Sequence, residues 1–321
     1  MAKAFQSWMV AGACLLALAG VAGCGTSSSN NNTSISSASG TKATAHVMKD
    51  GVGHQVKIPA APLRIWAPGL EDPIVALGDS KDLVGQYSSG NVVDDYLQKW
   101  LKGKPHIDFS GNGLDPESIL KLNPNLIILY STYFTQNGKY QQYSKIAPTY
   151  VFNQNSGAQG TWRNTLLTLG KMLGKSDKAK QLLKGYDQKV SAAKAKLQKA
   201  IGNKTVAIIE PSGKQVFLIG KGNFAGQEVY GDLGLTPPKI ATGWASISLE
   251  DLPKLGADYI FMVTGNDSTA EEKVLTNNPV WKDLPAVKEG HVYNVSYGHW
   301  INLGVIANED VINDVVNDLT K

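Results

Sequence analysis

Cysteine is almost missing from this chain of 321 residues: its 2 cysteines are Cys14 and Cys24. The body beyond them therefore has no disulfide, no thiol nucleophile and no Cys-ligated metal, and a fold of that size without staples is held by its core. Arginine is nearly as scarce, with Arg64 and Arg163 the only 2 among 31 basic residues, and the net charge is +4. Phosphate-backbone readers display arginines in number, so this composition argues against nucleic acid. Catalytic signatures are lacking too: no phosphate loop ending in Gly-Lys-Ser/Thr, no Gly-x-Ser-x-Gly elbow and no His-Glu-x-x-His zinc helix occurs. A hydrophobic fraction of 42% excludes a disordered chain.

What is present begins at the N-terminus. Lys3 supplies a positive charge ahead of an uncharged, mostly apolar run of 15 residues from Met9 to Gly23, which falls short of the ~20 needed for a permanent span. It ends Leu18-Ala19-Gly20-Val21-Ala22-Gly23-Cys24, and this stretch resembles the processing site of a bacterial lipoprotein. The resemblance implies a signal peptide over 1–23 and a lipidated Cys24 as the first residue of an extracytoplasmic protein, tied to the membrane by lipid. The Ser-, Asn- and Thr-rich residues after it have little to bury, and 24–45 read as a flexible tether.

The folded body reads as α/β. Val56–Ile58 and Ile65–Ala67 are short strands about a proline turn, and Asp115-Pro116-Glu117 opens a helix with Asp as cap and Pro in the first turn. The apolar run Leu126–Tyr130 then reads as a strand covered on both faces. The same grammar returns about 130 residues later: Ile247–Leu252 as a helix start, Gly256-Ala257-Asp258 as the turn, Tyr259–Val263 as the strand. Between the copies, Leu183, Tyr186, Val190, Ala193, Leu197 and Ile201 recur at helical spacing, predicting a helix over 177–201 about 38 Å long, with its many lysines as the wet face. Such a helix suits a strut between two lobes. The glycine-rich piece 220–226 after the strand Val216–Ile219 is either a backbone nest for an anion or a plain strand-to-helix turn.

Aromatic residues gather at strand ends and loops, with Arg163, Lys214 and Lys221 about them, and as a set describe a site for a bulky ligand with apolar surface and negative charge. Several longer pieces carry a family likeness. They are Gly53-His54-Gln55-Val56-Lys57-Ile58-Pro59 with Pro62-Leu63-Arg64-Ile65, Leu77-Gly78 with Leu83-Val84-Gly85, and Pro116-Glu117-Ser118-Ile119-Leu120 through Leu126-Ile127. Ser248-Leu249-Glu250 through Phe261, and Asn278-Pro279-Val280-Trp281 through Gly290-His291-Val292-Tyr293, complete the series. In this order they resemble the iron-siderophore ABC transporter substrate-binding lipoproteins, whose fold class includes vitamin B12 and haem binders.

That resemblance implies two Rossmann-like lobes, 46–160 and 203–321, joined through 161–202 by a single long backbone helix, with a shallow cleft that changes little on binding. It implies a monomeric, non-enzymatic receptor without cofactor on the outer face of a cell membrane, Gram-positive by its anchor. Its partners would be an ABC permease and its ATPase. The candidate ligand contacts are Trp66, Tyr87, Tyr130, Arg163, Lys221, Trp244, Tyr297 and Trp300. The family presents one acidic residue from each lobe to the permease: Glu271 or Glu272 fits the second, whereas 131–145 contain no Asp or Glu, leaving either Glu71, Asp94 or Asp95 for the first or a different mode of docking. Scarce arginine favours a hydroxamate or mixed carboxylate ferric siderophore over a highly charged catecholate. Ferric citrate, cobalamin and haem, the last with Tyr297 or His299 as axial ligand, are the alternative cargoes, and an adhesin or sensor lipoprotein is the alternative function.

Overall fold

The computed structural model describes residues 44–109, 114–154, 161–265, 269–302 and 304–321. The signal peptide, Cys24 and all but the last two residues of the tether lie outside the described residues. The described residues form one compact unit.

The first half carries the strands β1 (His46–Lys49), β2 (Gln55–Ile58), β3 (Ile65–Trp66), β4 (Gln86–Ser88), β5 (His106–Asp108), β6 (Leu126–Leu129) and β7 (Thr149–Val151). Its helices are α1 (Glu71–Ala76), α2 (Gln98–Leu101), α3 (Pro116–Lys121) and α4 (Lys139–Ile146). Helices α5 (Trp162–Met172) and α6 (Ser176–Ile201) follow. The second half has β8 (Val206–Ser212), β9 (Gln215–Ile219), β10 (Trp244–Ser248), β11 (Tyr259–Thr264) and β12 (Val292–Ser296), with α7 (Thr269–Asn277), α8 (Pro279–Lys282), α9 (Pro285–Lys288), α10 (Tyr297–Trp300) and the closing α11 (Val305–Leu319).

The expected buried strands are there. β6 lies between β3 and β7 in a parallel sheet, and all four of its residues are buried. β11 lies between β8 and β12, again in parallel, in a sheet of order β10-β9-β8-β11-β12 whose β8–β9 and β9–β10 pairs are antiparallel. Asp115 caps α3 as its sequence demands, accepting the amide hydrogens of Glu117 and Ser118. One expectation is corrected. Ile247 and Ser248 end strand β10, where Ile247 pairs with Val216, and only Leu249–Leu255 is helical, as a tight 3₁₀ segment. Pairing with β9 overrides the local helical pattern.

The long helix is α6, whose 26 residues correspond to about 39 Å. It buries Ala179, Tyr186, Ala193, Leu197 and Ile201 and exposes most of its lysines, while Lys189 reaches across to Glu309 of α11 at 2.9 Å. Gly170 of α5 lets this helix lie against α6, since a Cβ there would meet the Ala179 Cβ at 2.6 Å.

α6 bridges the two sheets within a shared core. One apolar cluster runs from Ile58, Ile65, Leu126 and Ile128 through Leu169, Tyr186 and Leu197 to Val206, Ile208, Phe261 and Val315. Each half adds a cluster on its outer sheet face. The closing helix α11 is stitched to the first half by Asp72 of α1. Its carboxylate accepts the amide hydrogens of Ile306 at 3.1 Å and Ala307 at 2.8 Å, satisfying donors that a helix N-terminus leaves free. Gly304 makes room for it, because any Cβ there would collide with the Asp72 side chain.

Candidate ligand-binding cleft

A cleft of about 640 Å³ opens where the two halves face each other. Its lining comes from carboxyl ends of parallel strands: Tyr87 of β4, Tyr130 just after β6, Val263 to Gly265 at the end of β11, and Ser296 and Tyr297 at the end of β12. In α/β sheets the loops leaving strand ends are free to vary while the sheet fixes where they start, so ligands collect there. Glu210 and Pro211 of β8, Trp162 of α5 and the turn Gly222-Asn223-Phe224 complete the walls.

The wall from the first half is aromatic through several layers. Tyr130 packs edge-on against Phe134 with ring centroids 5.1 Å apart, and Phe109 bridges Phe134 to Tyr87. Gly69, at φ +73, is required here, because the Tyr130 ring lies 3.0 Å from where its Cβ would be. Opposite, Phe224 takes the unusual φ of +41 and meets Trp244 at 5.2 Å. The glycines flanking that turn serve close backbone packing: a Cβ on Gly226 would collide with the Gly220 carbonyl oxygen.

Charge in the lining is acidic. Asp94, Asp95 and Glu210 line the cleft, and no Lys, Arg or His is among the described residues that line it. Asp94 accepts a hydrogen bond from the Asn302 amide at 2.8 Å, and Asp95 one from the Ser296 hydroxyl at 3.1 Å, so both span the two halves. Burial, with the Asp72 and Asp95 carboxylates adding, pushes Asp94 up to about 7. Glu71 is buried behind Tyr87, whose amide it accepts at 2.8 Å, and burial pushes it up to about 8, so it is largely neutral at physiological pH. Glu210 is raised by burial as well, and its Oε2 has no hydrogen-bond partner among the described residues. The Tyr87 phenol is pushed up to about 12, chiefly by burial.

Of the contacts expected from sequence, Tyr87, Tyr130 and Tyr297 come together in the lining. Trp244 is 42% exposed, stacked on Phe217 at 5.3 Å and in edge contact with the lining residue Phe224. Lys221 is exposed, one residue before the lining Gly222. Trp66 is fully buried, packed in an apolar cluster with Ile107, Ile127 and Leu129. Trp300 is fully buried too and donates its indole N–H to Asp314 at 2.9 Å. His299 approaches the same carboxylate oxygen at 2.7 Å. Arg163 pairs with Asp187 at 2.7 Å and Asp232 at 3.3 Å and lies over the rings of Trp162 and Tyr186, so Trp162 lines the cleft where Arg163 does not.

The docking candidates separate likewise. Asp94 and Asp95 lie in the cleft and Glu71 beneath it, whereas Glu271 and Glu272 sit half-buried on α7, with Glu272 accepting from Asn294 at 3.1 Å. Sequence reasoning missed Phe224, Gln227, Asn302 and Glu210 as lining residues. Glu210 carried a signal, since it follows the apolar run Val206-Ala207-Ile208-Ile209 at a position where a buried strand surfaces.

A fold of two α/β halves on one helical strut, with an aromatic cleft between, coincides with a sequence match to the family described as periplasmic binding protein over residues 73–296. The chain belongs to that family. This periplasmic binding protein is 33% identical over 319 residues to the iron(3+)-hydroxamate-binding protein FhuD of Bacillus subtilis, covering 96% of each chain. A similar solved structure is the FhuD fold-family periplasmic binding component of a Fep/Fec-like ferrichrome ABC transporter from Bacillus subtilis. It has a TM-score of 0.70 and 32% identity, over 85% of this chain and 100% of that one. Another is FhuD2 from Staphylococcus aureus with bound ferrioxamine B, at a TM-score of 0.66 and 26% identity, over 81% of this chain and 98% of that one. As a member of a binding-protein family, the chain holds its ligand without transforming it.

Proposed function

We propose that this protein is the extracytoplasmic receptor of an ABC importer. It captures a ferric siderophore of hydroxamate or carboxylate type between lobes 46–160 and 203–321 and delivers it to the permease and its ATPase. The observation that carries this reading is the tyrosine- and phenylalanine-walled cleft of about 640 Å³, in a chain 33% identical along nearly its whole length to an iron(3+)-hydroxamate-binding protein. A cleft of that volume suits a ligand of several hundred daltons. Aromatic faces pack on the organic skirt of the chelate, which supplies the iron with its own oxygen ligands. Lipidation of Cys24 holds the receptor on the outer face of a Gram-positive cell membrane.

For docking, the duplicated helix-turn-strand unit supplies a matched pair. Glu117 of α3 and Glu250 of the 3₁₀ segment are both exposed and occupy the same place ahead of β6 and β11. Equivalent carboxylates on each lobe fit a permease carrying basic residues for both. Glu271 and Glu272 form the alternative for the second lobe, without a counterpart in 131–145.

Tryptophan fluorescence of Thr41–Lys321, titrated with ferric hydroxamates, ferric citrate, ferric catecholates, haemin and cobalamin, tests the reading. Sub-micromolar quenching by a ferric siderophore, and none by its iron-free form, is the expected result. No response in a folded protein refutes it. Glu117→Lys with Glu250→Lys is expected to leave that affinity unchanged while abolishing uptake in cells.

A further inference from the structure

No cation is among the described residues that line the cleft. Its charged lining residues are Asp94, Asp95 and Glu210, and the internal segments outside the described residues, 110–113, 155–160, 266–268 and 303, contain no Lys, Arg or His in their sequence. Arg163, the only arginine in this region of the chain, is held by Asp187 and Asp232. Lys221 is exposed at the margin, where solvent screens it. The acids are placed by the fold rather than left on a wet surface. Asp94 and Asp95 are each fixed from the opposite half, by Asn302 and Ser296, and Glu210 joins them in the lining. An acidic lining with no Lys, Arg or His among its described residues favours an N–H or an ammonium on the ligand. The tyrosine and phenylalanine faces beside it favour a cation as well.

Building on the siderophore reading, we propose that the cleft selects by charge: a ferric trihydroxamate bearing a peripheral ammonium binds tightest, a neutral one next, and anionic ferric carboxylates and catecholates are rejected. The ferric core packs on Tyr87, Tyr130, Phe224 and Tyr297, and the ammonium meets the Asp94, Asp95 and Glu210 carboxylates. This narrows the expectation from composition, which left mixed carboxylate siderophores open.

One iron core with three terminal charges tests the inference. Ferrioxamine B carries a free ammonium; its N-acetyl derivative is neutral and its N-succinyl derivative is a monoanion. Titrated by tryptophan quenching, affinities are expected to fall in that order by roughly tenfold per step at low salt, with the steps shrinking as salt is raised. The double variant Asp94→Asn, Glu210→Gln keeps the shapes and removes two of the three charges, and is expected to narrow the gap between ferrioxamine B and the neutral derivative severalfold. Equal affinities for the three, tightest binding of the monoanion, or an undiminished preference in the double variant overturns the proposal. Ferric citrate binding in place of all three overturns it while leaving iron-chelate capture standing. No binding of any of the four by folded protein overturns both.

Discussion

Glu228 offers a measurement of how the back wall of the cleft is built. It sits in the π-helical turn Gln227–Asp232, fully buried, with neither carboxylate oxygen finding a partner among the described residues. Burial pushes it from an ordinary 4.5 up to about 8, with Asp232 adding and Arg163 opposing. A carboxyl whose folded value is raised contributes its full stability below about pH 4.5 and loses it as pH climbs through about 8, because the unfolded chain ionises first. At about 1.4 kcal/mol per pH unit, tapering as the pH nears 8, the loss between pH 5 and pH 8 is about 3 to 4 kcal/mol. Glu228→Gln retains the shape and cannot ionise. Urea unfolding of both proteins at the two pH values is expected to show the variant gaining about 3 to 4 kcal/mol on the wild type as pH is raised. Glu71, also pushed up to about 8, contributes the same slope to both proteins and cancels. Parallel pH profiles would refute the reasoning, for they would mean that the carboxylate is solvated or paired in the folded protein.

Tyr297, 41% exposed in the lining, is expected on replacement by Ala to weaken chelate binding by roughly tenfold in a fluorescence titration with the melting temperature nearly unchanged. Arg163→Ala is expected to do the reverse. Thermal melts should register a loss of about 1 kcal/mol as α5, α6 and Asp232 lose their shared cation, and chelate affinity should stay the same. Asp94, pushed up to about 7 and facing Asp72, Asp95, Glu71 and Asn302, gains a proton as pH falls from about 8 to about 6. Titrations across that range should show ferrioxamine B binding weaken while its neutral N-acetyl derivative is much less affected.

Where local chemistry alone decides structure, the sequence was legible. Asp115-Pro116 announces a helix cap, Leu126–Leu129 a strand with both faces covered, and the lysine-edged spacing from Leu183 to Ile201 a helix with one dry face. Tertiary partners decided the rest. Ile247 joins a strand only because Val216 lies beside it. Trp66, Trp300 and Tyr297 look alike as aromatic residues near strand ends, and only the neighbouring strand or helix buries the first two and leaves the third in the cleft. The acidic lining was the hardest to read. Asp94 and Glu210 lie more than a hundred positions apart, and nothing short of the meeting of both halves makes them neighbours of one ligand.

The bond from Asp72 to the first amides of α11 reaches across 234 and 235 positions of chain. It therefore governs the order in which the protein can be completed. While the last residues are still emerging, the Asp72 carboxylate of α1 lacks the two amide donors of α11, and the apolar faces of α5 and α6 that α11 covers stay bare. Helix α11 is thus the keystone laid last: a chain cut before Val305 is not a receptor lacking one helix but an unfinished fold, exposed to proteases and chaperones, with its two halves not yet registered on each other.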